Sequence, residues 1–79
     1  SNFETLIIGQ EEAAYRAELD LVGNAHEMLA AGKVSERRCE QLVTSIGAST
    51  DKIVETVHRT TREILANLES RFNAALRQS

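Results

Sequence analysis

Apolar residues in the first third of the chain recur at steps of four and three, the spacing that places side chains on one face of an α-helix. The stripe consists of Ile8, Tyr15, Leu19, Val22 and Leu29, with the polar residues Glu12 and His26 in phase. This pattern predicts an amphipathic first helix over about residues 10–31, with a coiled-coil-like seam along one side.

The start of this helix has two interpretations. Ser1 and Glu4 have the spacing of a capping box, which would begin the helix near residue 2. Gly9 opposes an early start, because glycine inside a helix costs about 1 kcal/mol relative to alanine. The sequence leaves both open.

The clearest interruption of the helical pattern lies between residues 31 and 35. Gly32 suits the left-handed position that ends a helix, and Ser35 suits the N-cap of the next one. A turn over residues 32–34 predicts two adjacent antiparallel helices. The alternative is a kink within one continuous helix.

A second, longer helix is predicted over about residues 35–77. Its seam again follows steps of four and three through Cys39, Val43, Ile46, Thr50, Ile53, Val57, Thr60 and Ile64. Residues 47–50 resemble a turn, so a break there is the alternative. The unbroken phase across Gly47 favours continuity, because a turn usually resets the register.

Beyond Ile64 the apolar residues follow at steps of four, through Leu68, Phe72 and Leu76. Such steps shift the stripe around the helix, so this end is expected to pack differently from the middle. The shorter first helix cannot cover it. We therefore expect Leu68, Phe72 and Leu76 to bind another protein.

Chain length and composition bear on how the hairpin is stabilised. A chain of 79 residues is near the lower limit for a self-sufficient core, and with one cysteine it cannot form an internal disulfide. We expect an all-α antiparallel helical hairpin that assembles into a dimeric four-helix bundle or coiled coil. The expected oligomer interface consists of Val43, Ile46, Ile53, Val57 and Ile64.

The charge distribution argues against nucleic acid as the main partner, because the net charge is −3. Residues 1–31 carry six acidic residues and one basic residue, and residues 32–79 carry eight basic and six acidic residues. This asymmetry favours packing of the two halves side by side. No segment is long and apolar enough to span a bilayer, and a cytoplasmic location is expected.

Few residues suggest chemistry. His26-Glu27 is similar to the histidine–acid pair on the first helix of two-helix phosphotransfer domains, where the histidine faces solvent. Here His26 falls on the predicted seam and the Arg-Thr-Pro-like continuation is missing, so a core or boundary histidine is favoured. Cys39 is expected to be a small buried apolar residue. No catalytic arrangement is visible, and we expect neither enzyme activity nor a cofactor.

Arg59 and Arg62 could contact an acidic partner or phosphate, although Glu55 is placed to pair with Arg59 along the helix. The sequence thus predicts a non-catalytic oligomerisation or adaptor module. The alternatives are a four-helix-bundle segment of a signalling protein, or a small mobile-element regulatory protein that contacts nucleic acid through Arg59 and Arg62.

Overall fold

The computed structural model describes residues 2–79, which form two antiparallel helices packed against each other. Helix α1 spans Asn2–Ala30 and helix α2 spans Glu36–Gln78. At 1.5 Å per residue these helices are about 43 Å and about 64 Å long. The hairpin measures 69 × 20 × 9 Å, so it is a flat rod one helix thick. The prediction of an all-α chain with two packed helices is confirmed.

The turn between the helices is held by backbone hydrogen bonds at both helix ends. Gly32 has a φ of 69°, and its N–H donates to the Leu29 carbonyl oxygen at 3.0 Å. The Lys33 N–H donates to the Met28 carbonyl oxygen at 2.9 Å, which completes a Schellman motif. The Ser35 hydroxyl then accepts from the Arg38 N–H at 3.1 Å and caps α2.

Helix α1 begins at Asn2, about eight residues before the start that the apolar stripe suggests. Gly9 lies inside the helix, and no atom of the rest of the chain lies within 4 Å of the point where a Cβ would sit. The early turns bring Phe3 and Ile7 into half-buried positions beside α2, and this burial offsets the helix-breaking tendency of Gly9. The capping role expected of Ser1 lies outside the described residues.

Helix α2 runs through residues 47–50 without a break. Thr50, the last residue of this turn-like segment, is 4% exposed and faces α1. Its hydroxyl donates to the carbonyl oxygen of Ile46 at 3.1 Å, one turn earlier. This bond gives the buried hydroxyl of Thr50 a partner within the same helix, so the hydroxyl does not have to cap a new helix.

The face of α1 that contacts α2 shares Val22 and Leu29 with the predicted seam and is shifted by one position at the other places. Ile8, Tyr15 and Leu19 are 56%, 47% and 72% exposed, and His26 is exposed as well. The positions turned towards α2 are Phe3, Ile7, Glu11, Ala14, Glu18, Val22, Ala25 and Leu29. Helix α1 thus has two overlapping apolar stripes. The stripe that packs against α2 is the one that contains Ala14 and Ala25. The expectation of a core or boundary His26 is therefore wrong.

Helix α2 departs from its predicted seam after Thr50. Cys39, Val43, Ile46, Thr50 and Val57 are buried or half-buried, as their phase requires. Ile53, Thr60 and Ile64 are exposed, and Val54 and Thr61 take the half-buried positions instead. The heptad pattern therefore describes only the first half of this helix.

Small residues at eleven-residue intervals set the register of the hairpin. Ala14 and Ala25 are spaced in this way on α1, and so are Cys39, Thr50 and Thr61 on α2. The Cys39 thiol donates to the Ala25 carbonyl oxygen at 3.6 Å, which fixes the pairing at the turn end. An eleven-residue period nearly matches a straight α-helix, so the two helices can stay in contact with little supercoiling.

Two glycine substitutions should have opposite effects. Gly32→Ala places a side chain at a φ of 69° and should destabilise the chain by about 1 kcal/mol. Gly9→Ala adds a methyl group in open space inside a helix and should stabilise it by about 0.5–1 kcal/mol. Urea unfolding followed by circular dichroism measures both; a shift of the same sign in the two variants would contradict the assigned turn.

Close approach of the helices predicts that Ala25 cannot be enlarged. Ala25 is 4% exposed beside Cys39, so Ala25→Leu should force the helices apart and cost about 1–3 kcal/mol. Ala13→Leu is the matched control, because Ala13 is exposed on the same helix. Equal unfolding midpoints for the two variants would show that Ala25 is not at the closest contact.

Candidate functional site

The contact between the two helices leaves most large apolar side chains accessible to solvent. The four residues that are buried among residues 2–79 are small: Ala14, Ala25, Cys39 and Thr50. No large side chain among residues 2–79 is completely buried. Twelve large apolar residues are exposed: Leu6, Ile8, Tyr15, Leu19, Leu21, Met28, Ile53, Ile64, Leu65, Leu68, Phe72 and Leu76. Exposed apolar residues that lie together on one surface mark a site of interaction.

The total accessible surface of the chain is also large for its mass. The chain exposes 6340 Å² at a mass of 8.7 kDa. A compact monomer of that mass exposes about 4700 Å². The surplus of about 1600 Å² is roughly twice the area of about 800 Å² that one partner buries in a protein–protein interface of standard size. The hairpin thus exposes more surface than a compact chain of its mass, as its elongated shape requires.

The first uncovered surface is the end of α2 that extends beyond α1, residues 65–78, here called the overhang. The length difference between the helices makes it about 21 Å long. Leu68, Phe72 and Leu76 are 53%, 64% and 57% exposed on it. They continue the side of α2 that faces α1 nearer the turn, so a helix in line with α1 would cover them.

The second uncovered surface is one broad side of the hairpin, here called the uncharged face. Two shallow grooves run along it between the helices. One lies between Ala17 and Leu21 of α1 and Leu42, Ser49 and Ile53 of α2. The other lies between Leu6 and Gln10 of α1 and Thr56, Thr60 and Ile64 of α2. Among all residues that line the two grooves, Glu18 is the one charged residue.

The carboxylate of Glu18 is directed towards α2 rather than out of its groove. Its Oε1 lies 3.6 Å from the point where a Cβ on residue 47 would sit, an ordinary van der Waals distance, so the carboxylate lies beside α2. Glu11 lies two turns earlier on α1, and its Oε1 is 3.4 Å from His58 Nε2 on α2. Both carboxylates therefore contact the other helix.

The remaining broad side of the hairpin carries Glu11 together with exposed apolar residues. Glu11, Tyr15 and Val22 recur at helical spacing, with Leu19 beside them. The sequence suggested the pairing of an acidic first helix with a more basic second one, and the Glu11–His58 contact is an example that no local motif indicated. We call this side the acidic face.

The residues predicted for the oligomer interface are divided between two environments. Val43, Ile46 and Val57 are half-buried at the contact with α1. Ile53 and Ile64 are 52% and 42% exposed and line the grooves of the uncharged face. The spacing of apolar residues along α2 predicted an oligomer contact for all five. Such spacing cannot distinguish contacts within the hairpin from contacts with a second chain.

Two polar candidates, Arg59 and Arg62, are exposed on α2. The Nη1 of Arg59 lies 4.0 Å from Glu55 Oε1, the expected pair along the helix. At this exposure such a pair contributes little to stability. Cys39 is 3% exposed and carries a free thiol, so its expected burial is confirmed.

Neither helix within residues 2–79 is apolar over a length that would cross a membrane. In the same residues, no three side chains of histidine, cysteine, aspartate or glutamate are grouped so that they could hold a metal ion. The surfaces available for function are thus the overhang, the uncharged face and the acidic face. Comparison of the chain with protein-family models, with curated proteins and with solved structures finds no significant match.

Proposed function

We propose that this chain is a non-catalytic oligomerisation and adaptor module, which pairs with a second copy of itself and binds a protein partner through its overhang. The observation that carries the proposal is the surplus accessible surface, about 1600 Å² beyond that of a compact monomer. A four-helix bundle made from two hairpins would cover the exposed side of each. The setting proposed is the cytoplasm, where a thiol such as Cys39 stays reduced.

The small core supports association as a condition of folding. Three of its four buried residues are alanine or cysteine, and an isolated helix pair with so little large apolar burial is marginally stable. Large residues such as Leu21 and Ile53 contribute fully only when another surface removes them from water. Dimer formation would supply that surface, so folding and self-association are expected to be coupled.

The overhang supports the adaptor role. Its apolar residues recur on one side of α2 over about three turns, a length and pattern typical of helix-to-helix recognition. Arg71 and Arg77 on this segment, together with Glu69, would flank the contact. The partner proposed is a protein that offers an apolar helix to Leu68, Phe72 and Leu76.

Coupled folding and association predict that thermal stability depends on protein concentration. The melting temperature should rise by about 3–5 °C for each tenfold increase in concentration, because dilution favours separated chains. Circular dichroism measures the melting temperature, and sedimentation equilibrium should give twice the 8.7 kDa mass of one chain. A folded monomer whose melting temperature is constant would overturn the self-association.

The adaptor role is tested with a matched pair of variants. Phe72→Asp alters the overhang, and Leu19→Asp alters an equally exposed apolar residue of the acidic face, the two wild-type side chains being 64% and 72% exposed. A protein retained from native lysate by the wild type and by Leu19→Asp should be lost with Phe72→Asp. Equal retention by all three baits, measured by mass spectrometry, would remove the overhang from the proposal.

A segment of a signalling protein is the second candidate, and the exposure of His26 favours it. His26 and Glu27 are both exposed on α1, as a phosphorylated histidine must be. The continuation expected in phosphotransfer domains remains absent from the sequence. Incubation with a histidine-kinase catalytic domain and ATP tests its phosphotransfer version: acid-labile phosphate on the wild type that is lost in His26→Gln would support this version, and no phosphate would exclude it.

A further inference from the structure

We propose that the second copy docks on the uncharged face, so that the dimer is closed by the side of each hairpin that carries Leu21 and Ile53. This rests on the proposed function in taking self-association as given, and adds which surface performs it. The overhang and the acidic face then stay outside the dimer contact.

The distribution of charge around the hairpin is the first argument. A two-fold dimer brings the same patch of two chains together, so each charge near the axis meets a like charge. On the acidic face, Glu11 would approach its own copy, an arrangement that costs energy in a chain of net charge −3. The one charged residue lining the grooves of the uncharged face is Glu18, and its carboxylate lies beside α2, so this face meets a copy of itself with less of this penalty.

The chemistry of the uncharged face is the second argument. Large aliphatic residues such as Leu21, Leu42 and Ile53 alternate there with the small residues Ala17 and Ser49. Small residues beside large ones form ridges and grooves, so helices of a second hairpin can approach closely. The hydroxyl groups on this face can bond to carbonyl oxygens of their own helix, as Thr56 does to Lys52 at 2.8 Å. They therefore need no partner from the other copy.

The area of uncovered surface is the third argument. The surplus of about 1600 Å² per chain exceeds the area of about 800 Å² that one partner buries in a stable interface. Both grooves lie on the uncharged face and together extend along about two thirds of α1, from Phe3 to Leu21. A second copy of the hairpin has the same length and shape, so it can occupy both grooves at once.

The inference is tested by placing one carboxylate on each surface. Ile53→Asp should weaken the dimer by about 100-fold or more, because two carboxylates would be buried in the contact. Leu19→Asp on the acidic face and Phe72→Asp on the overhang should leave the dimer dissociation constant within about threefold of the wild type. Sedimentation velocity over a dilution series measures all four proteins, with circular dichroism reporting helicity.

The outcomes separate the two proposals. A wild type that is monomeric at every concentration contradicts the proposed function. A dimeric wild type whose dimer survives Ile53→Asp, or is lost equally in Leu19→Asp or Phe72→Asp, overturns the uncharged face as the contact and leaves self-association intact.

A second measurement applies even where Ile53→Asp fails to fold. In a Cys39→Ala background, Ser49→Cys puts a thiol on the uncharged face and Glu12→Cys puts one on the outer surface of α1, both residues being exposed in the single chain. At protein concentrations where the chain is dimeric, a maleimide should modify the cysteine at position 49 at least about tenfold more slowly than the cysteine at position 12. This difference in rate should vanish when the protein is diluted until the dimer dissociates. Equal rates at both positions while the protein is dimeric overturn the inference.

Discussion

The close contact between small residues of the two helices determines the other features of this hairpin. Ala25 lies against Cys39 at the turn end, and Ala14 and Thr50 are buried eleven residues further along each helix. This spacing keeps nearly straight helices in register, because eleven residues make almost exactly three turns. It also turns the large apolar residues of α1 to the two sides of the contact, where α2 cannot cover them. The uncovered surface thus follows from how the helices meet.

Part of this arrangement could be predicted from the sequence. Gly32 and Ser35 indicate the turn because their roles are local: one tolerates a left-handed backbone and the other accepts from a free N–H. The phase across Gly47 similarly favours a continuous α2, which is what the structure has. Such features depend on residues within one or two turns of each other.

Other features depended on packing between distant parts of the chain. The pattern of large residues selected Ile8, Tyr15 and Leu19 as the packed stripe of α1, whereas alanines set the true contact. Hydrophobicity alone gives alanine little weight, although its small size is what permits close approach. The sequence left the start of α1 open for a related reason, because the burial of Phe3 and Ile7 depends on their contact with α2. Because α1 packs through Ala14 and Ala25, His26 is exposed and Glu11 lies against His58.

The overhang has a further consequence for a symmetric assembly. A two-fold dimer would carry two identical overhangs on one rigid rod-like body, so one partner with two binding sites could be held at both. The second contact would then form at a high effective concentration, and the combined affinity could exceed that of either contact by 10²–10⁴. Weak individual helix contacts would suffice for lasting attachment, and separation of the dimer would release the partner without any change at the overhang itself.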